Sequence, residues 1–262
     1  MRRAATIAWV VWLELLRRKE LYVLLILLAT LLCALLSADV FGLGTTARYV
    51  LDLGLLLAWI FTLVLAVIVG SRQLPDEEKR GTIYPLLAKP LTRAELLLGK
   101  WLGVWSAVSC ASAVFYLLVA GVVRAYGGSF GWPALAQGWA AHLAGLAVLS
   151  ALALAFSTRM TSGAAACMSY VVAGASLCVL PRIPEMLSGA SGPQAALLSA
   201  LYYLFPHIEL FDLRLRIVHG WGTVPRGVFA LILAYGAALT ALLLLVAWLG
   251  YRRKRFDRGG AA

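Results

Sequence analysis

SRQLPDEEKRGTIYPLLAKPLTRAELLLGK, residues 71 to 100, is the one long polar interruption in the first half of an otherwise apolar chain. It holds four acids (Asp76, Glu77, Glu78, Glu95) and six bases (Arg72, Lys79, Arg80, Lys89, Arg93, Lys100) between two hydrophobic runs. Pro75 suits the first turn of a helix, and the three acids after it stand where the helix dipole favours negative charge. Gly81 loosens the backbone, and Pro85 and Pro90 prevent one continuous helix. Thr92 is a good N-cap with Glu95 three residues on, the spacing of a capping box, so a second short helix is expected to start there. The segment reads as two short amphipathic helices joined by a stiff elbow at a membrane surface.

The rest of the chain supplies the membrane. Of its 262 residues 62% are hydrophobic and only 13% charged, about half the charge of a soluble globular domain. Outside the connector, uncharged apolar runs long enough to cross a bilayer recur, so the fold class is all-α: a polytopic membrane protein in a single transmembrane domain, residues 1–262. Six spans are expected, at about 21–41, 50–70, 101–123, 134–156, 163–180 and 228–251. Residues 1–20 read as an interfacial amphipathic helix, because Ile7, Trp9, Val10, Trp12, Leu13 and Leu16 are followed by a basic cluster at Arg17, Arg18 and Lys19. No cleavable signal peptide is evident, and the first span itself is expected to direct insertion. The fifth span is rich in Ala, Gly and Ser, which suits close helix packing in lipid. Cys33, Cys110, Cys167 and Cys178 all fall in apolar runs without paired spacing, and are expected to be small buried hydrophobes.

The net charge of +11 is explained by topology. Six spans put both termini and the connector on one side. Five Lys or Arg before the first span, six in the connector, Arg159 and five after the last span then share that side, against six on the other. Cytoplasmic loops carry such an excess, so both termini are expected in the cytoplasm, where the bases meet anionic lipid headgroups. No motif that reads RNA or DNA is present, and nucleic acid is excluded as a partner.

The order of residues within the connector adds a resemblance. Glu78-x-x-Gly81-Thr82, Leu86-Leu87, Pro90, Arg93 and Leu98-Gly99-Lys100 together resemble the cytoplasmic signature of type-2 ABC exporter permeases. The nearest subgroup is the one associated with multicopper-enzyme maturation, including the permease of nitrous oxide reductase assembly. The resemblance implies a coupling segment, residues 71–100, that docks on a separate ATP-hydrolysing subunit. Asp76, Glu77, Glu78, Arg80, Gly81, Thr82, Pro90, Arg93 and Lys100 would be its contacts. It also implies a second permease copy or homologue completing a dimer, ATP and magnesium held by the partner, no cofactor in this chain, and a bacterial inner membrane.

The chain's own residues agree that ATP binds elsewhere. Gly99-Lys100 is the only Gly-Lys pair; Ala94 stands where a phosphate loop needs its first glycine and Trp101 where it needs a magnesium-binding Ser or Thr. Leu187-Ser188-Gly189-Ala190-Ser191 faintly echoes an ATPase signature but has no companion motif. No catalytic set is assembled, so the chain is not read as an enzyme. The loop 182–226 is expected outside, with an apolar stretch at helical spacing over 194–205 and a short amphipathic helix or a re-entrant pair capping the pathway. Its His207, Glu209, Asp212 and His219 could hold zinc or copper, but their spacing matches no standard ligand pattern; a solvated loop with Asp212 paired to Arg216 is favoured. The alternative function, an integral-membrane enzyme or assembly scaffold, would use that loop. His142, alone on the fourth span, is expected to make an interhelical hydrogen bond. Asp52 and Arg124 could pair with each other, or each reach headgroups, which is favoured.

Overall fold

The computed structural model describes residues 2–17, 19–37, 46–79, 92–189 and 191–252. Arg80, Gly81, Thr82, Pro85, Lys89 and Pro90, the middle of the connector, lie outside the described residues.

Every regular element among the described residues is helical. In chain order the elements are α1 (Arg2–Arg17), α2 (Glu20–Ser37), α3 (Thr46–Arg72), α4 (Pro75–Lys79), α5 (Arg93–Ala125), α6 (Trp132–Ser157) and α7 (Ser162–Cys178). Then come α8 (Ile183–Ser188), α9 (Pro193–Leu204), a 3₁₀ turn (Ile208–Phe211), α10 (Arg214–His219) and α11 (Arg226–Arg252). Among the described residues, five helical stretches are long and apolar enough to cross a bilayer: Ala47–Lys79, Arg93–Ala125, Trp132–Ser157, Ser162–Ser188 and Arg226–Arg252. The expected first span corresponds to α2, whose apolar core Tyr22–Ala34 is shorter.

The bundle is built around α3, α5 and α6. Indole N–H groups bind α5 to α6: Trp101 Nε1 donates to the Ala147 carbonyl at 3.1 Å, Trp105 Nε1 to the Leu143 carbonyl at 3.0 Å, and Trp139 Nε1 to Ser112 Oγ at 3.1 Å. In lipid the apolar surface gives little drive for helix association, so hydrogen bonds and close packing decide it. His142 shows this: its Nε2 lies 2.8 Å from Thr62 Oγ1 of α3, with the ring between Trp59 and Tyr116. Helix α7 turns a stripe of small residues inward, Ala165, Ser169, Ala173 and Ser176, as its composition led one to expect. The four cysteines do the opposite: all are exposed on outward faces, contrary to the expectation of burial. A helix that is apolar all round carries no periodicity to say which side faces lipid.

Helix α1 is clamped to the protein. Ile7, Val11 and Leu15 are buried, while Trp9, Val10 and Leu13 face out. Gly103 on α5 makes the approach possible, since a Cβ there would stand 2.7 Å from Val11 Cβ and 3.0 Å from Ala8 Cα. Trp12 Nε1 donates to Ser106 Oγ at 2.8 Å on the same seam.

At the far end from the connector, the segment after α9 drops into the bundle. Ile208 and Phe211 are 0% and 1% exposed. Phe211 wedges between α6 and α11 at two glycines: a Cβ on Gly145 would lie 3.1 Å from Phe211 Cβ, and one on Gly236 2.9 Å from Phe211 Cε1. Gly236 is ten residues into α11, so at 1.5 Å per residue the wedge sits about 15 Å below that helix's start. The expected helix near 194–205 is present as α9, and the 206–219 part packs into the bundle as a plug. Helix α9, by contrast, has no buried residue.

Candidate coupling site

Both described ends of the connector are fixed in place. On the first, α3 stops at Arg72, a two-residue turn follows, and Pro75 opens α4 with Asp76, Glu77 and Glu78 in its first turn. Ser71 and Gln73 close this junction by donating to carbonyls of the preceding turn, Ile68 and Val69. Leu74 is fully buried against Ile7, Leu96, Leu97, Leu154, Ala247 and Tyr251. One cluster thus joins α1, the connector, α5, α6 and α11.

On the second end, the expected capping box is present: Glu95 N–H donates to Thr92 Oγ1 at 3.2 Å, and Thr92 N–H to Glu95 Oε2 at 2.9 Å. The helix it opens is not short, however. It runs unbroken from Arg93 to Ala125, because no residue between the cap and the span interrupts the helical hydrogen bonds. Among the described residues, each connector helix is continuous or nearly so with a spanning helix.

Charge locks the two ends together. Lys100 Nζ donates to Glu77 Oε1, with the Lys100 side chain 3% and Glu77 20% exposed. A buried ammonium is tolerated only with such a partner. Lys100, expected among the docking contacts, is therefore turned inward as the strut between α5 and α4. Arg93 reaches across the chain to the end of α11, its Nη1 donating to the Tyr251 and Arg252 carbonyls at 2.7 and 2.9 Å, with the guanidinium 5.8 Å from the Tyr251 ring centroid. Those carbonyls belong to the last turn of a helix, where the dipole favours a cation. Asp76, Glu77 and Glu78 are half-buried on α4, and Lys79 is exposed. Arg80, Gly81, Thr82 and Pro90 are outside the described residues.

A single family model covers residues 5–258, that of the ABC-2 family transporter proteins. The chain belongs to the ABC-2 family. This ABC-2 permease is accordingly a multi-pass membrane protein and the membrane component of a transporter. No curated relative matches the sequence.

At the opposite end of the permease the structure disperses the other candidate residues. His207 Nδ1 lies 3.0 Å from Glu209 Oε1, and Ser176 Oγ donates to Glu209 Oε2 at 2.9 Å while accepting the Ile208 N–H. His207 N–H donates to the Tyr235 hydroxyl. Asp212 faces another way: it accepts the Arg214 N–H and pairs with the Arg214 side chain at 3.9 Å, rather than with Arg216. Arg214 Nε also stands 3.6 Å from Asp52, so the partner of Asp52 is Arg214 and not Arg124. Arg124 stacks over Phe130 and Trp132. His219 Nδ1 lies 2.9 Å from Arg48 Nη2. Among the described residues no three His, Cys, Asp or Glu side chains come together as a metal site.

Two further anchors of the plug escaped the sequence. Gln137 clamps Val224 at both amide positions, its Nε2 donating to the carbonyl and its Oε1 accepting the N–H. Phe211 depends on glycines at 145 and 236. Gly138 and Gly145 stand seven residues apart on α6, and that spacing was the one available hint.

Proposed function

We propose that this ABC-2 permease is the membrane half of an exporter whose separate ATPase subunit docks on the connector between residues 76 and 93, with two permease chains forming the pathway. The single observation that carries the reading is the anchoring of the connector. Glu77 is tied to Lys100 on α5, Leu74 is sunk among five elements, and Arg93 holds the end of α11. A force applied to the connector therefore reaches α3, α5 and α11 together, as rigid-body coupling requires.

In this reading Asp76 and Glu78, with Arg80, Gly81, Thr82 and Pro90, form the docking face, whereas Glu77, Arg93 and Lys100 hold it at a fixed angle. The ATPase supplies ATP and magnesium, and no step of hydrolysis is assigned to this chain. The excess of bases at the connector end supports a cytoplasmic position for that end and both termini, and the family resemblance supports a bacterial inner membrane. Kinship with the multicopper-maturation subgroup stays part of the proposal, carried by the ordered residues from Glu78 to Lys100. The mostly uncharged spans are compatible with a hydrophobic or lipid-linked cargo, with a peptide, and with force transmission to a periplasmic partner.

The test is affinity purification of the tagged chain from its native membrane in mild detergent, with mass spectrometry and an ATPase assay. A stoichiometric ATP-binding subunit that is lost on replacing Glu78 by Arg together with Gly81 by Trp is the expected result. Purification without any ATPase overturns the reading. Activity without an ATPase that depends on His207 or Glu209 would move the assignment to the membrane enzyme considered from the sequence.

A further inference from the structure

A groove of about 580 Å³ runs along the seam between α6 and α11 at the connector end. Its walls are apolar, with Leu152 and Phe156 on one side and Leu243, Val246 and Leu249 on the other. It extends from Leu243 to Gly250 on α11, about 10 Å along the helix at 1.5 Å per residue. Val246 and Leu249 are 52% and 41% exposed, so the trough opens sideways from the bundle into the space that hydrocarbon fills. At its mouth, in the turn between α6 and α7, stands Arg159. Gly250 lets the arginine lie against the last turn of α11: a Cβ at that position would be 3.5 Å from Arg159 Nε.

The chemistry at the mouth is one-sided. Arg159 is exposed, and among the described residues no acid lines the groove. Arg252 sits at the end of the same helix with its guanidinium over Trp248. An exposed guanidinium with five donors and no carboxylate is a phosphate partner, and its planar fork suits bidentate binding. An apolar trough with that head at one end matches an amphiphile with an anionic head.

We infer that this groove binds one anionic phospholipid, its acyl chains against Val246 and Leu249 and its phosphate on Arg159. A free phosphate would leave the apolar walls unused. A second copy of the chain seated here would have to bring an acid to Arg159. The site is independent of which protein docks on the connector. It does bear on the coupling elements, because the α11 end that the lipid braces is the end Arg93 grips.

The experiment titrates the full-length chain in mild detergent with dioleoyl-phosphatidylglycerol or dioleoyl-phosphatidylcholine and counts retained lipid by native mass spectrometry. One phosphatidylglycerol per chain should be retained at concentrations that leave phosphatidylcholine unbound. Arg159→Gln removes a charge-assisted contact and should weaken phosphatidylglycerol roughly ten-fold. Val246→Trp fills the trough and should abolish retention. Both positions are on exposed surface, and unchanged melting temperatures would show that the variants fold. A photo-crosslinking residue at Leu249 in native membranes should capture lipid. Equal retention of the two lipids, an unaffected Arg159→Gln variant, or chain-to-chain crosslinks in place of lipid would each overturn the inference.

Discussion

Replacing Glu77 by glutamine strands the ammonium of Lys100 beneath the connector. Breaking a buried ion pair by removing one partner typically costs 3–5 kcal/mol. Lys100 is 3% exposed and cannot reach water without moving α5, but glutamine still offers an oxygen to it. The expected loss for Glu77→Gln is therefore about 2 kcal/mol. The reverse deletion is milder. In Lys100→Met the thioether occupies much the same volume, and the Glu77 carboxylate, one fifth exposed, can turn toward solvent. That loss should be about 1 kcal/mol. The double variant leaves no buried charge and should return to near the parent stability, a coupling energy of about 3 kcal/mol. Read as thermal stability of the detergent-solubilised chain, Glu77→Gln should lower Tm by about 4–8 °C and the double variant by much less. A silent Glu77→Gln, equal single losses, or additive singles would each show that Lys100 is not the internal strut described here.

Three other perturbations test the rest of the architecture. Arg93→Gln removes two charge-assisted bonds to the α11 carbonyls and should cost about 2 kcal/mol; under the proposed function it should also lower ATP-dependent transport more than ATPase association, measured in proteoliposomes. Gly236→Val forces a side chain against Phe211 and should cost about 1–3 kcal/mol, with Phe211→Leu partly restoring Tm; absence of that rescue would dismiss the wedge. Thr62→Val deprives buried His142 of its partner and should cost about 1–3 kcal/mol, whereas Thr62→Ser should be close to neutral in the same melting assay.

The local features of this protein were legible and the distant ones were not. The Thr92–Glu95 box and the Pro75 helix start lie within one helical turn of chain, so residue order alone specifies them. The polar partner of His142 could be anticipated, because a lone imidazole in a span must find one, though Thr62 could not be named. Lys100 was expected as a docking residue because Leu98-Gly99-Lys100 belongs to the resembling motif; only the uninterrupted helix beyond Thr92 turns it inward onto Glu77. Arg93 meets carbonyls 158 and 159 residues away. Asp52 and Arg124 sit at corresponding ends of adjacent spans, where pairing was one option and headgroup contact the favoured one. Re-entry of the loop brings Arg214 to Asp52, and Phe130 and Trp132 take Arg124.

By itself, then, the sequence determined an all-helical membrane chain with a charged connector between two spans, because hydrocarbon thickness translates into run length and charge exclusion residue by residue. Which face of each helix meets lipid was decided only by the tertiary structure, and so were the outward cysteines, the Phe211 wedge and the groove at Arg159. When every position in a span is apolar, water no longer selects a face. Small residues, indole donors and paired charges make that choice, and their partners lie on other helices.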